Sequence, residues 1–256
     1  MKKYALIGEK LTHSMSKVIH TKYFDIKNMD ATYDLIEISK DNFDKEFKNL
    51  LSRDYVGINV TIPYKTDVIP YLDKISPEAE KIGAINTIKL ENGHLTGYNT
   101  DFFGLIQTYE RYNIEIKDKK VAILGTGGAS KAVYATLLHL GAKEIYYVSR
   151  DKKMHNGILT KNYNDELSGD VLINATPVGM YPKTNASPVD DINFDTVIDL
   201  IYNPEETLLL KKARLMGKKA VNGMYMLISQ GLYSQSIWNN TKTEKDVIEK
   251  IFNEVK

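Results

Sequence analysis

The chain of 256 residues contains no cysteine. This absence excludes disulfide bonds, thiolate nucleophiles and zinc sites built on cysteine, and it fits a reducing compartment. No stretch approaches the ~18 apolar residues that a membrane-spanning helix needs. The opening segment MKKYALIGEK has too short an apolar run for a secretory signal peptide. We therefore expect a soluble, cytoplasmic protein without a membrane partner.

An excess of charge of one sign is also missing. The 34 lysines and arginines nearly cancel the 33 aspartates and glutamates, which leaves a formal net charge of +1. Such a chain has no overall field that would attract nucleic acid, so we expect no nucleic-acid partner. The length allows one large domain or two small ones, and 43% hydrophobic residues are typical of a globular protein.

The N-terminal part alternates between strand-like and helix-like segments. YALIG, SKVIHTKYFDI, ATYDLIEI, FDKEFKNLL and VGINVTI follow one another with short links. This order predicts a βαβαβ unit with a mostly parallel sheet. Asn92-Gly93 separates two further strand-like runs and predicts a tight hairpin. A helix-like run follows, and we place a domain boundary near Asp101.

From Val121 the pattern restarts with a continuous apolar run, VAILG, typical of a strand buried on both faces. The segment GTGGASK follows at once and leads into a helix-like run. Gly125 can form the tight turn, Gly127 lets the backbone approach a pyrophosphate, and the helix N-terminus supplies free N–H groups. Ser130 occupies the place of the usual third glycine. The context favours a dinucleotide site over an ordinary glycine-rich turn.

The next strand, EIYYVSR, ends where the adenosine ribose of a dinucleotide would lie. Its tip is Ser149-Arg150, followed by Asp151 and two lysines. An arginine favours the 2′-phosphate of NADP, whereas NAD enzymes generally place an acid here, so Asp151 argues for NAD. A solvated charged loop is the alternative reading. Only about twenty residues separate Arg150 from VLINATP, so we expect an abbreviated crossover.

Three more segments, VLINATP, TVIDLIY and KKAVNG, read as parallel strands. Pro204 is predicted to begin a helix with an acidic first turn, which stops at Gly217. Ligands in such sheets collect at the carboxyl ends of strands, which directs attention to Thr176, Tyr202 and Gly223. The last two helix-like runs have no strand between them, and we expect them to return to the first domain.

The segment NVTIPYK, residues 59–65, places a lysine just beyond a strand tip. Ile58, Val60 and Ile62 alternate with polar residues, and Pro63 ends the ladder. Taken alone, Lys65 is most simply a surface lysine. The alternative is a catalytic ammonium beside a polar strand face.

Eight motifs occur in order over nearly the whole chain. They are SMS (14–16), NVTIPYK (59–65), GAINT (83–87), NTD (99–101), GTGGASK (125–131), INATPVGM (173–180), DLIYNPEETLLL (199–210) and NGMYMLISQG (222–231). Together they resemble the shikimate dehydrogenase family.

The resemblance implies an α/β fold of two domains with a cleft between them. An N-terminal α/β substrate-binding domain would comprise residues 1–101 and 224–256, and a Rossmann-type, doubly wound parallel-sheet domain would comprise residues 102–223. The implied activity is reversible, NADPH-dependent reduction of 3-dehydroshikimate to shikimate in aromatic amino-acid biosynthesis, by a monomer or a homodimer.

The resemblance also assigns site residues. Lys65 and Asp101 would form the catalytic pair. The substrate would be held by Ser14, Ser16, Asn59, Thr61, Asn86, Tyr202 and Gln230. The cofactor would be held by Gly125, Thr126, Gly127, Gly128, Ala129, Ser149, Arg150, Thr176, Leu200 and Gly223. No metal site is expected.

Chemistry supports the catalytic assignment. Hydride delivery to a ketone creates an alkoxide, to which the ammonium of Lys65 can donate a proton. Asp101 can orient that ammonium, although an aspartate at a helix start can also simply cap the helix. The chain departs from the family pattern at Lys17, where proline is usual, and at Ser149, where asparagine is common. Two alternatives stay open: an NAD-dependent quinate/shikimate dehydrogenase, and a non-catalytic nucleotide-binding regulator.

Overall fold

The computed structural model describes residues 1–255, and the chain divides into two compact units. Unit 1 consists of Met1–Gly104 and the described residues from Ile228 onward, and unit 2 consists of Leu105–Leu227. The sequence placed the boundaries at residues 101 and 224. The structure divides the chain a few residues later, inside the helices Asp101–Arg111 and Met224–Asn239. A helix that continues through a boundary leaves no turn signal there for sequence analysis to read.

Unit 1 contains a six-stranded mixed sheet. Its strands are β1 (Lys2–Gly8), β2 (Ala31–Glu37), β3 (Tyr55–Val60), β4 (Lys74–Ile75), β5 (Thr87–Glu91) and β6 (His94–Tyr98). They lie in the order β2-β1-β3-β5-β6-β4. Strand β1 is parallel to β2 and β3, which confirms the βαβαβ prediction, whereas β5 is antiparallel to β3 and β6.

The predicted hairpin is the connection between β5 and β6. Asn92 and Gly93 have φ angles of 53° and 76°, both in the left-handed region. Two successive residues of this kind match the twist of the flanking strands, and asparagine and glycine adopt them at the lowest cost. The hairpin prediction is confirmed.

Helices and 3-10 turns connect the strands. The helices of residues 1–255 are α1 (Ser16–Ile26), α2 (Phe43–Leu51), α3 (Pro77–Ile82), α4 (Asp101–Arg111), α5 (Gly128–His139), α6 (Leu208–Leu215), α7 (Met224–Asn239) and α8 (Lys245–Val255). Sequence analysis missed α3, whose N-cap Ser76 accepts a hydrogen bond from Ala79 N–H (3.2 Å). Within the described residues, no helix combines the length and the apolar character needed to cross a membrane.

Alternate residues of β1 point to opposite faces of the unit 1 sheet. Ala5 belongs to an apolar cluster with Phe47 of α2. Its neighbour Tyr4 instead stacks on Trp238 of α7, with ring centroids 4.9 Å apart. The Trp238 ring lies so close to β3 that a Cβ atom on Gly57 would approach it to 2.4 Å. Helix α7 is thereby packed directly on this sheet. The proposed catalytic Lys65 follows strand β3 of the same sheet.

Unit 2 contains a five-stranded sheet in which every pairing is parallel. Its strands are β7 (Lys120–Leu124), β8 (Glu144–Val148), β11 (Val171–Asn174), β12 (Thr196–Asp199) and β13 (Lys219–Val221), and a separate hairpin is formed by β9 (Met154–His155) and β10 (Ile158–Leu159). All five predicted strands are confirmed. The order β13-β12-β11-β7-β8 reverses direction at β7, which is where ligands bind in sheets of this type.

Two connections of unit 2 bear on the sequence predictions. The crossover between β8 and β11 contains only the short β9–β10 hairpin and no helix in its fully described residues, so the abbreviated crossover is confirmed. The predicted helix start at Pro204 is wrong, because α6 begins at Leu208. Thr207 is the N-cap residue and accepts a hydrogen bond from Leu210 N–H (3.3 Å). Its side-chain cap outweighs the helix-favouring proline further upstream.

Candidate functional site

Lys65 and Asp101 form a buried ion pair in unit 1. Lys65 Nζ lies 2.5 Å from Asp101 Oδ2, and the two side chains are only 13% and 8% exposed. The turn that carries Lys65 is anchored on both sides, because Tyr64 is buried and donates its hydroxyl to Ile38 O, and Ile85 N–H donates to Lys65 O (2.7 Å). Lys65 is therefore not a solvated lysine at a strand end.

Asp101 is the first residue of α4, and both of its carboxylate oxygens accept hydrogen bonds from side chains. Oδ2 faces Lys65, and Oδ1 accepts from Asn86 Nδ2 (2.9 Å). Asn99 Oδ1 accepts from the Asp101 backbone N–H (3.1 Å) and so anchors the start of the helix. These contacts hold the carboxylate in one orientation beside the ammonium.

Asn86 connects the ion pair to a group of buried hydroxyls and amides. Its Oδ1 accepts from the backbone N–H of Thr100 (2.7 Å) and from the Thr87 hydroxyl (3.0 Å). Its Nδ2 also lies 3.3 Å from Gln230 Oε1, which in addition accepts from the Thr100 hydroxyl (3.1 Å). Asn86 and Gln230, two of the predicted substrate residues, thus lie together next to Asp101.

The other predicted substrate residues have different surroundings. Ser14 lies just before α1, and Ser16 is the first residue of that helix. Ser14 Oγ accepts a hydrogen bond from Ser16 N–H (3.2 Å). Thr61 is partly buried directly after β3. Asn59 is enclosed, only 5% exposed, and its amide hydrogen bonds are all made within the protein. Tyr202 belongs to unit 2, beyond the carboxyl end of β12.

Sequence analysis missed several members of the buried polar group. They are Tyr33, Thr87, Thr100 and Ser234, whose hydroxyls contact the amides of Asn59 and Asn86 or each other. Thr87 and Thr100 lie within the motifs GAINT and NTD, so a signal was present. Ser234 lies on α7, far away in sequence, and nothing local marks it.

The glycine-rich turn of unit 2 has the form that a pyrophosphate site requires. Gly125 has a φ of +92°, which disfavours any side chain there. Gly127 is the N-cap of α5 and has no side-chain capping bond, and a Cβ atom at this position would meet nothing within 4 Å. The turn therefore leaves open space at the start of α5, where Gly127 has no side chain to cap the first helix N–H groups. Ser130, in place of the third glycine, is fully buried and donates to Gly127 O (2.6 Å).

The adenosine end of the predicted cofactor site lies at the tip of β8. Ser149 is buried and its N–H donates to Lys161 O (2.9 Å), whereas Arg150 is exposed. Asn162 Nδ2 donates to Arg150 O (2.6 Å), which fixes the backbone there. Lys152 pairs with Asp165 at 3.0 Å, so its charge is already compensated. Arg150 is the better placed of these two cations to meet a phosphate.

A second pair of polar residues, which sequence analysis missed, lies at the strand ends of unit 2. It consists of Asn174 at the end of β11 and Asp199 at the end of β12. Asn174 Oδ1 accepts from the Thr176 N–H and hydroxyl (3.0 and 2.7 Å). Burial raises the pKa of Asp199 to about 6, and hydrogen bonds from neutral donors, Thr207 first, act in the opposite direction. Gly223 is required by packing, since a Cβ atom there would lie 2.1 Å from Leu200 O. Within residues 1–255, no three His, Asp or Glu side chains are grouped to hold a metal ion.

Comparisons with known proteins match the whole chain. A family model described as the shikimate dehydrogenase substrate binding domain matches residues 6–88. A shikimate dehydrogenase (NADP(+)) from Clostridium beijerinckii is 44% identical, and the match covers 98% of this chain and 97% of that protein.

Solved structures agree with these matches. Shikimate dehydrogenase 1 from Peptoclostridium difficile superposes with a TM-score of 0.95 at 44% identity, covering 100% of this chain and 98% of that one. The Thermus thermophilus shikimate 5-dehydrogenase, solved in complex with NADP(H) and shikimate, has a TM-score of 0.89 at 28% identity over 99% of both chains. On this full-length similarity, the chain belongs to the shikimate dehydrogenase family.

Proposed function

We propose that the protein is an NADP-dependent shikimate dehydrogenase, which reduces 3-dehydroshikimate to shikimate and catalyses the reverse oxidation in aromatic amino-acid biosynthesis. The observation that carries this proposal is the buried Lys65–Asp101 pair, in a chain 44% identical to an NADP(+)-dependent shikimate dehydrogenase over almost its full length. Neither a surface lysine nor a simple helix cap accounts for a charge pair surrounded by oriented amides.

In the proposed mechanism Lys65 is the proton donor and acceptor. When NADPH is bound, it supplies the hydride that converts the ketone to an alkoxide. Lys65 Nζ donates a proton to the developing oxygen anion during reduction and takes it back during oxidation. Asp101 holds the ammonium in position through Oδ2, and Asn86 holds the carboxylate through Oδ1. Proton transfer of this kind contributes ~10²–10⁴-fold to rate.

The substrate is a small acid with several hydroxyls, which requires paired donors and acceptors. We assign its polar groups to the hydroxyls and amides predicted from the sequence. These are Ser14, Ser16, Asn59, Thr61, Asn86, Tyr202 and Gln230. Their side chains offer both donors and acceptors, as recognition of hydroxyls demands.

We assign the cofactor to unit 2. The open space at Gly127 and the free N-terminus of α5 suit the pyrophosphate, and Arg150 suits the 2′-phosphate of NADP. The Thermus thermophilus relative was solved with NADP(H), and its chain aligns along 99% of this one. Thr126, Gly128 and Ala129 complete the turn, and Ser149, Thr176, Leu200 and Gly223 are assigned to the same site.

One experiment tests the proposal and separates its competitors. The rate of shikimate oxidation is measured with NADP and with NAD, and the rate of quinate oxidation is measured with both. A shikimate dehydrogenase gives its highest kcat/KM with shikimate and NADP. Faster turnover of quinate with NAD would identify a quinate enzyme. Binding of NADPH without turnover of either acid would identify a regulator.

The setting of the reaction is part of the proposal. We place it in the cytoplasm, where NADPH is available and a cysteine-free chain is at no disadvantage. The active species is a monomer or a homodimer, which light scattering of the purified protein distinguishes.

A further inference from the structure

His20 is a fully buried histidine of unit 1 that the mechanism above does not use. It lies in α1, is 1% exposed, and its ring stacks on Tyr33 with centroids 4.1 Å apart and planes at 10°. Burial lowers the pKa of His20 to about 3, and a hydrogen bond with the Asn59 side chain acts in the opposite direction. The imidazole is therefore neutral near pH 7, and it has one N–H donor and one acceptor nitrogen.

Contacts with α7 determine which nitrogen is the acceptor. Asn239 Nδ2 donates to the backbone carbonyl of Gln235 (2.9 Å), which fixes the orientation of the Asn239 amide. The same Nδ2 lies 3.1 Å from Gln235 Oε1, so Oε1 is an acceptor and Nε2 is the donor end of Gln235. Gln235 Nε2 lies 2.8 Å from His20 Nδ1. Nδ1 consequently accepts, and the proton of His20 is on Nε2.

The Asn59 side chain is the second polar neighbour of the His20 ring. Asn59 Nδ2 donates to the backbone carbonyl of Asn86 (3.2 Å), so the orientation of the Asn59 amide is also fixed by a backbone group. Its Oδ1 is then the acceptor end, and it receives the Tyr33 hydroxyl (2.7 Å). The His20 ring stacks on this same Tyr33, so it also supports the donor to Asn59.

The orientation of Asn59 sets the direction of the next hydrogen bonds. Asn59 Nδ2 lies 3.0 Å from both Thr87 Oγ1 and Ser234 Oγ, so its two N–H groups are shared among these hydroxyls and Asn86 O. Each hydroxyl has one proton to donate. Ser234 Oγ can donate to Gln230 O (3.1 Å) and Thr87 Oγ1 to Asn86 Oδ1 (3.0 Å), and the two hydroxyls also lie 2.8 Å from each other.

Asn86 passes this orientation to the catalytic carboxylate. With Oδ1 accepting from the Thr100 backbone N–H (2.7 Å) and from Thr87, Nδ2 is directed at Asp101 Oδ1 (2.9 Å). Lys65 then meets the other oxygen of the same carboxylate. A continuous series of polar contacts, named here the His20 network, thus runs from Gln235 through His20, Asn59, Thr87 and Asn86 to Asp101, and Ser234 contacts both Asn59 and Thr87 within it.

We propose that His20 and Gln235 are positioning residues for the dehydrogenase reaction, which act through Asn59 to hold Asp101 and Lys65 in the geometry for proton transfer. This inference rests on the proposed function. It gives Asn59 a positioning role in addition to the substrate contact that the family resemblance suggested, because the Asn59 amide makes these hydrogen bonds inside the protein.

The test compares two substitutions of one residue. His20→Phe keeps an aromatic ring on Tyr33 but removes the Nε2 proton. His20→Gln can place an amide N–H near the position of Nε2 and so keep the donor to Asn59. We expect His20→Phe to lower kcat for shikimate oxidation by tenfold or more, since a small misplacement of reacting groups can cost ~10²-fold. KM for shikimate should change little, and His20→Gln should recover most of the rate.

A double-mutant cycle distinguishes positioning from general support of the fold. If His20 acts through Asp101, His20→Phe should have little further effect on kcat in a protein that already carries Asp101→Asn. Rates are measured well below the melting temperature of each variant. Equal kcat for His20→Phe and the parent, or an equal proportional loss in both backgrounds, would overturn the inference.

A milder pair of variants covers the case in which His20→Phe fails to fold. Ser234→Ala removes a hydroxyl that contacts Asn59 and Thr87, whereas Ser236→Ala removes a hydroxyl on the same helix that donates only to Tyr233 O (2.8 Å) among its assigned hydrogen bonds. We expect Ser234→Ala to lower kcat several-fold more than Ser236→Ala. Equal kcat in the two would count against the His20 network.

Failure of this inference is separable from failure of the proposed function. A parent protein that binds NADPH but does not oxidise shikimate contradicts the proposed function itself. A parent that is active, with His20→Phe and Ser234→Ala at the parental kcat, contradicts only the roles given to His20 and Gln235.

Discussion

The two units build their sites from different materials. The site of unit 1 consists of side chains, in which Lys65, Asp101 and Asn86 are each held by other buried polar groups. The glycine-rich turn of unit 2 consists of backbone, in which Gly127 leaves open space before the first turn of α5. A proton-transfer site needs side chains in fixed positions, whereas a pyrophosphate site needs only N–H groups that a ligand can approach.

The buried carboxylates of the two units also differ, because one faces a cation and the other has only neutral hydrogen-bond donors. Asp101 in unit 1 faces the ammonium of Lys65. Asp199 in unit 2 accepts its hydrogen bonds from neutral groups, the Thr207 hydroxyl, the Ile201 N–H and the Asn174 amide. A carboxylate with a cation partner can orient that cation. One with neutral donors keeps much of its desolvation cost, which is why its pKa rises.

Removal of the ammonium from unit 1 should have the largest effect. We expect Lys65→Ala to lower kcat by ~10²–10⁴-fold, the contribution of general acid–base catalysis, while shikimate still binds. Steady-state kinetics and calorimetric titration with shikimate measure the two quantities. Lys48→Ala is the control, because Lys48 forms an exposed ion pair with Asp44. Parental turnover in Lys65→Ala would remove this lysine from the mechanism.

Neutralising the partner carboxylate should have the next largest effect. Asp101→Asn keeps the shape and any capping ability of the residue but removes the charge that orients Lys65. We expect kcat to fall roughly a hundredfold, on the scale of general acid–base contributions, and the melting temperature to change little. A folded variant with normal turnover would leave Lys65 acting alone and reduce Asp101 to a helix cap.

The carboxylate of unit 2 should instead affect stability, in a pH-dependent way. Its pKa is raised from 3.8 to about 6 in the folded protein, so the folded state binds the proton more tightly than the unfolded state. The stabilising contribution of this proton is complete below pH 3.8 and is lost as the pH rises through about 6. From the size of the shift, the loss amounts to about 2–3 kcal/mol.

Asp199→Asn isolates that contribution from the other titrating groups. The difference in unfolding free energy between Asp199→Asn and the parent should shift in favour of the variant between pH 4 and pH 7. Urea unfolding at several pH values measures it. A difference that does not vary with pH would show that burial of Asp199 leaves its proton affinity unchanged.

The smallest expected effect concerns cofactor choice in unit 2. Arg150→Ala should weaken NADP binding by about tenfold, because one charge-assisted contact to a phosphate is worth roughly 1.5–3 kcal/mol, partly screened at an exposed site. Binding of NAD should change little. Lys152→Ala is the matched control, since Lys152 is already paired with Asp165. Equal losses for NADP and NAD would mean that Arg150 supports the loop and not the phosphate.

The parts of the molecule that sequence analysis predicted are local. The turn at Asn92-Gly93, the glycines of GTGGASK and the short crossover after Arg150 each depend on residues within one or two elements. The predicted helix start at Pro204 was wrong because the true start depends on a contact with a residue outside the helix. Thr207 is bonded to Asp199, eight residues away, and this contact sets where the capping hydroxyl lies.

The sequence alone determined the class of fold, the position of the nucleotide turn and the family, because strand periodicity, glycine conformation and ordered motifs are properties of short segments. Only the tertiary structure decided that Lys65 is buried in an ion pair and that His20 and Gln235 are bonded to each other, 215 residues apart. The orientations of the Asn59 and Asn86 amides in that network depend on backbone groups from separate elements. No short segment of sequence contains that information, since it exists only after the strands and helices have packed together.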